Sequence, residues 1–191
     1  MLNLDAARKI PGYMYDVDLE WLAARASESL RIAEIGSWMG RSTRAMADNQ
    51  LEGGILYAVD TWEGSDEEAH KKLLSGKPED WLINQFRVNI GDALLSSPAF
   101  KVRAVQMTSH AAADYLGVGC YNIEFDMVFI DAAHDYENVK ADILAWEPLV
   151  KAGGILCGHD HHHPPVFKAV SELVPDAEHV AGDIWAWRKP R

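Results

Sequence analysis

Four carboxylates stand where short apolar runs of this chain come to an end. Glu34 lies near the end of Arg31-Ile32-Ala33-Glu34-Ile35, Asp60 follows ILYAV, Asp131 follows FDMVFI, and Asp160 comes shortly after Ile155-Leu156-Cys157. A fifth run, KVRAVQ, closes on Gln106 and leads into Met107-Thr108-Ser109. Carboxylates gathered at one edge of a sheet can accept hydrogen bonds from a ligand's hydroxyls, face an ammonium group, or hold a divalent cation. The first run passes into Gly36-Ser37-Trp38-Met39-Gly40 and then Ser42, a strand, a glycine-bounded turn and the start of a helix.

That turn discriminates between ligands. A dinucleotide needs glycines at relative positions one, three and six, so that the backbone can approach a pyrophosphate. Counting from Gly36, those later places hold Trp38 and Arg41. The spacing suits instead a ligand without phosphates, whose ammonium meets Glu34 and whose carboxylate meets the helix N-terminus and Ser42. Asp60 is placed to accept from a ribose diol, and together these features describe S-adenosylmethionine. An NAD-dependent enzyme on a similar sheet is the rival reading.

The elements that must position these groups follow from patterning. Five runs, at 31–35, 55–59, 101–106, 125–130 and 155–157, alternate with helical stretches, and 178–181 with 184–187 read as an antiparallel hairpin. This predicts an α/β fold: a Rossmann-like, seven-stranded, mostly parallel sheet with one antiparallel strand from the C-terminal hairpin and helices on both faces. Residues 1–191 read as one domain, with an arm at about 1–30 that is irregular to residue 15 and helical from Asp16 or Asp18 to Leu30. The excursion at about 61–92, with helical pieces near 66–74 and 79–90, reads as a lid or substrate wall. Further helices are expected at 111–116, at 135–150 closed by Gly153-Gly154, and from Pro164 to Val174.

Composition narrows the function classes. Eighteen basic against 29 acidic residues give a formal charge of −11, which argues against nucleic acid or anionic lipid as the main partner. Two distant cysteines, Cys120 and Cys157, offer no disulfide framework. No apolar run approaches a membrane span, and the first residues lack a signal-peptide layout, so a cytoplasmic location is expected. A small hydroxylated molecule is the expected partner, with a homodimer as a further expectation.

The motifs IAEIGSWMGRST, YAVDTWEGS, FDMVFIDAAHDYENVKADILAW, VKAGGILCGHD and IWAWRK, in this order, resemble the class I S-adenosylmethionine-dependent methyltransferases. Within that family the chain looks like the small metal-dependent O-methyltransferases of the catechol type and the macrocin-type sugar methyltransferases. The resemblance implies that Glu34, Gly36, Ser37, Trp38, Gly40 and Ser42 surround the methionine part and that Asp60 holds the ribose. Thr61 or Trp62 would lie near the adenine, Trp62 being the best placed tryptophan for a pocket wall. Gln106, Met107, Thr108 and Ser109 would line the adenine side, and Asp131 would sit below the sulfonium. It further implies a divalent metal (Mg, Mn or Zn) on Asp131, Asp160 and His161, where a histidine departs from the family's oxygen ligands. His134 falls where the catechol-type enzymes carry a lysine base, so His134 and Asp131 become the candidate catalytic pair. A hydrogen-bonded structural histidine at 134 and a solvated loop at His159-Asp160-His161-His162-His163 stand beside these readings. So do a non-catalytic sensor of the cofactor and a hydroxylase-like enzyme.

Overall fold

The computed structural model describes residues 1–65, 67–91, 101–119 and 122–191. The expected start of a helix at Asp66, the end of the excursion at Asp92, and Cys120 lie outside the described residues. The strands are β1 (Arg31–Ile35), β2 (Ile55–Asp60), β3 (Val102–Gln106), β4 (Phe125–Ile130), β5 (Val150–Gly158), β6 (Glu178–Ala181) and β7 (Ile184–Arg188). They form one sheet in the order β3-β2-β1-β4-β5-β7-β6. Pairings among β1 to β5 are parallel, and β7 runs antiparallel to both β5 and β6. The expected architecture is therefore observed, with β7 as the reversed strand.

The central strands form because both of their faces are covered, which suits near-continuous apolar runs. Alternate residues of β1 enter two separate cores. Ile32 packs with Leu19, Leu22, Met46 and Phe86 on one side, and Ala33 and Ile35 with Val139, Ile143 and Val166 on the other. The first side is supplied by α1 (Asp16–Ala26), α2 (Arg41–Asn49) and α4 (Trp81–Ile90). The second is supplied by α5 (Ser109–Ala113), which runs into a π-helical turn at Asp114–Gly119, and by α6 (Tyr136–Trp146) and α7 (Pro164–Leu173). Helix α6 is capped by Asp135, whose side chain accepts from Asn138 N, and α7 opens on Pro164-Pro165, where missing N–H groups cost nothing.

The arm is irregular apart from a 3₁₀ turn at Ala7–Lys9, and Leu4, Ala7, Ile10 and Met14 anchor it by being buried. Two local expectations differ from the structure. Helix α6 stops at Trp146 because Pro148 enters a 3₁₀ turn at Glu147–Leu149. Strand β5 then starts at Val150 rather than Ile155, and Gly153 (φ +77°) sits inside the strand, beside a register shift against β4, instead of closing a helix. The excursion supplies α3 (Glu68–Leu74), which buries no residue, and α4, which buries Leu82, Ile83, Phe86 and Ile90.

Candidate active site

The strand order reverses direction between β1 and β4, the place where open α/β sheets bind ligands beyond their carboxyl ends. A cavity of about 1010 Å³ opens there. Its walls include Gly36, Ser37, Trp38 and Ser42 from the first turn, Asp60 and Thr61 after β2, and Met107 and Ser109 after β3. Asp131 and His134 follow β4, and His159, Asp160 and His163 follow β5.

Gly36 allows this turn to exist. It has φ +90°, and a Cβ there would overlap the Asp131 carbonyl and crowd Ala132 Cα. The backbone closes tightly, with Gly36 N donating to Val59 O (2.9 Å) and Asp131 N to Ile35 O (2.7 Å). Gly36→Ala is accordingly expected to destabilise the fold by about 3 kcal/mol, strain and overpacking combined. Chemical denaturation reads this directly, and an unchanged midpoint would contradict the packing described.

Asp60 organises the turn that the cavity exposes. Its Oδ2 accepts from Ser37 N (2.9 Å) and Trp38 N (2.8 Å), and its Oδ1 from Trp62 N (2.7 Å). Trp38 (φ +46°) and Trp62 (φ +55°) both lie in the left-handed region, strained for a bulky side chain and typical of functional turns. Burial raises the Asp60 carboxyl above its ordinary value despite the three amides. A carboxylate has about four acceptor sites, so Asp60 keeps capacity toward the cavity.

Glu34 lies behind this wall. By strand alternation it shares the face of Ile32 and meets α2, where it is fully buried and accepts from Ser37 Oγ (2.8 Å), Ser42 Oγ (2.5 Å) and the Thr43 hydroxyl. Its carboxylate is thus occupied by protein donors, and it acts on the cavity through Ser37 and Ser42. Burial pushes its pKa up to about 7, against the lowering effect of the three hydroxyls. The folded state then holds a proton that the unfolded chain releases above about pH 4.5. Stability from this group is fully present below that pH and is lost as pH rises through 7, an effect of about 3 kcal/mol. Glu34→Gln is expected to flatten this slope, read as unfolding midpoints across pH 4 to 8; an unaltered slope would contradict it.

Next to the turn lies a cluster of alternating charge. Asp131, His134 and Asp160 each offer a donor atom, and these atoms lie within 4.8 Å of one another. His134 Nε2 is 2.9 Å from Asp160 Oδ2 and 4.0 Å from Asp131 Oδ1, while its Nδ1 meets Glu67 Oε1 at 2.9 Å. Asp131 and Asp160, the second being nearer, push His134 up to about 11. Carboxylates on both ring nitrogens hold the proton on His134 in this arrangement, whereas a base must give up its proton near the working pH. Burial raises the Asp131 carboxyl. Burial acts in the same sense on Asp160, but His134 and His159 outweigh it and hold that carboxyl well below its ordinary range.

His159 has no role in the sequence reading yet lies at the centre of this cluster. Its Nδ1 is 3.3 Å from Asp160 Oδ2 and 3.7 Å from Asp131 Oδ1, and its Nε2 is 3.7 Å from the buried Asp18 of α1. Burial disfavours its charged form, but Asp160, Asp131 and Asp18 prevail and push it up to about 9. The dipeptide His159-Asp160 was the available signal.

Several expected site residues are placed elsewhere. His161 is not brought to the cluster. Asp160 has φ +58°, the chain reverses there, and the His161 ring stacks on His179 at 5.0 Å. Trp62 is a core residue, packed on Phe86 at 4.9 Å, and its Nε1 donates to Trp38 O. It therefore supports the turn from below rather than walling the cavity. Gly40 (φ +90°) is the N-cap of α2, with Phe86 and Ile90 where its Cβ would be. Gln106 Nε2 donates to Thr61 O, and Thr108 caps α5 by accepting from Ala111 N. On the open side, His70 of α3 stacks on Trp38 at 4.0 Å, with Tyr13 of the arm beyond it. Neither Tyr13, His70 nor Glu67 carries a sequence motif.

A protein-family model described as a methyltransferase domain matches residues 33–161, more than half of the chain. No curated protein sequence matches. Among solved structures, the chain is similar to an O-methyltransferase from Bacillus cereus in complex with SAH (TM-score 0.66, 19% identity, covering 96% of this chain and 86% of that one). It is also similar to an SAH-bound methyltransferase of Podospora anserina (TM-score 0.64, 15% identity, 97% and 84%). At these identities the likeness is one of fold. Among the described residues, no helix is long and apolar enough to cross a membrane.

Proposed function

The chain belongs to the methyltransferase-domain family, and from that premise we propose that it transfers the methyl group of S-adenosylmethionine to a hydroxyl of a small-molecule acceptor. The observation that carries this reading is the adjacency of two features in one cavity. One is a left-handed turn whose amides converge on Asp60, and the other is the cation-sized trio Asp131, His134 and Asp160.

In this reading Asp60 accepts from the ribose hydroxyls. Gly36, Ser37, Trp38 and Ser42 face the methionine part, and Met107 and Ser109 face the adenine. The donor set of the trio fits a divalent ion: two carboxylates and one imidazole favour manganese, zinc or iron over magnesium. Glu67 behind His134 is the kind of outer partner that orients a ligating imidazole. Such an ion would orient the acceptor hydroxyl and lower its pKa.

The chain's own residues carry the rest. Methyl transfer is an in-line displacement in which the acceptor oxygen attacks carbon and the sulfonium leaves as a thioether. Positioning therefore supplies most of the acceleration. With an ion on the trio His134 is its neutral ligand, and His159 places positive charge beside the oxygen that develops negative charge. Without an ion, Asp131, whose carboxyl burial raises, is the better of the two aspartates to take the hydroxyl proton. Helix α3, held over Trp38 by His70 and to His134 by Glu67, closes the cavity against water.

Calorimetry tests the reading. Micromolar or tighter binding of S-adenosylhomocysteine with no binding of NAD is expected. Binding of NAD alone would assign the turn to a dinucleotide and overturn the proposal.

A further inference from the structure

The run His159-Asp160-His161-His162-His163 does not stay together in space. The left-handed Asp160 sends His159 and His163 to the cavity and His161 and His162 outward, against the β6–β7 hairpin. There the loop is pinned to the hairpin turn: His161 N donates to Asp183 O (3.0 Å), and His162 N to Asp183 Oδ1 (3.0 Å). Three imidazoles meet as a result. The ring centres of His161, His162 and His179 stand 5.3, 5.0 and 4.8 Å apart pairwise.

We propose that His161, His162 and His179 form a second metal site, for a late first-row divalent ion such as zinc, separate from the Asp131–His134–Asp160 cluster. Three observations support it independently of the methyl-transfer reading. The first is spacing. Imidazoles on one tetrahedral zinc, with Zn–N of about 2.0–2.1 Å, hold their ring centres about 5 Å apart. The second is protonation. His162 Nδ1 lies 2.7 Å from Asp183 Oδ1. A carboxylate cannot donate, so Nδ1 carries the proton and, in the neutral ring, Nε2 presents a lone pair. An outer oxygen that fixes the tautomer is the usual companion of a metal-ligating histidine. The third is that His161 Nδ1 is buried without a hydrogen-bond partner.

The inner trio already has its donor atoms gathered, whereas the outer rings have their centres in place and need to turn. His161 and His179 lie nearly parallel, at 12°, so both must turn about χ2 on ligation, and His179 exchanges its bond to Gly182 O for the ion. His162 keeps its bond to Asp183. Three imidazoles and a water select zinc, nickel or copper over magnesium or calcium. Such an ion would staple the loop that carries Asp160 to the hairpin.

The test is titration of the untagged full chain with Zn²⁺ by calorimetry and with Co²⁺ by visible absorption, in wild type, Asp160→Asn, His162→Ala and His179→Gln. We expect Asp160→Asn to retain one site with the absorption of tetrahedral, nitrogen-ligated cobalt. His162→Ala and His179→Gln should each weaken that site about tenfold or more. His162 is exposed, so its alanine variant reports on ligation without disturbing the core, and thermal unfolding verifies the fold of each variant. Absence of zinc binding in the wild type, loss of all binding in Asp160→Asn, or equal affinity in His162→Ala would each overturn the proposal.

Discussion

Replacing Asp60 by alanine is expected to weaken S-adenosylhomocysteine binding about a hundredfold. A hydrogen bond to a charged acceptor contributes about 1.5–3 kcal/mol, and a ribose diol makes two, so a loss of about 3 kcal/mol is the conservative figure. The structure adds a second cost. Asp60 also holds the amides of Ser37, Trp38 and Trp62, and two of these residues sit in left-handed conformations that need an external restraint. Without the carboxylate the turn relaxes, and the methionine end of the site loses its shape along with the ribose end. Asp60→Asn keeps part of the geometry and should fall between the two. Calorimetry on both variants checks this, and affinity within about threefold of wild type in Asp60→Ala would remove the ribose assignment.

The second large effect is expected at Asp160. Asp160→Asn keeps the size of the side chain and withdraws its charge, so the cluster loses the carboxylate 2.9 Å from His134 Nε2. Methyl transfer should fall about a thousandfold, equivalent to about 4 kcal/mol, while S-adenosylhomocysteine affinity stays within a few-fold. The two readouts part because the proposed reading puts Asp160 on the acceptor side of the cavity and Asp60 on the donor side. The variant also tests the ion directly. A chelator should inhibit the wild type and leave the residual activity of Asp160→Asn unchanged. Full activity in Asp160→Asn would show that the cluster does not act on the acceptor.

The parts of the site legible in the sequence were those fixed by strand patterning. Apolar runs ending in carboxylates bring Asp60, Asp131 and Asp160 to one edge of a parallel sheet whatever the details of the loops. The fold followed from the same runs, including the reversed β7. Errors came where one backbone angle decides the outcome. The φ of Asp160 turns His161 away from the cluster, so the third donor is His134, and the φ of Trp62 drops its ring into the core. Nothing in a run of residue types marks an aspartate or a tryptophan as left-handed. Charge state was hidden for a related reason. His134 reads as a base with an ordinary pKa until Asp131, Asp160 and Glu67, which come from different parts of the chain, are seen around it. Glu34 was more accessible to reasoning: the alternation that buries Ile32 puts Glu34 on the same face, under α2 rather than in the cavity.

The most direct test of the account is methyl transfer itself. Incubation with S-adenosylmethionine carrying a labelled methyl group, against phenols, catechols and sugars, with added Mn²⁺, Zn²⁺ or Mg²⁺ and with chelator, should place the label on a hydroxyl oxygen of at least one acceptor. The wild type should do so and Asp160→Asn should not. Tight cofactor binding with no label on any hydroxyl under any of these conditions would contradict the account, and would leave a protein that holds the methyl donor without using it.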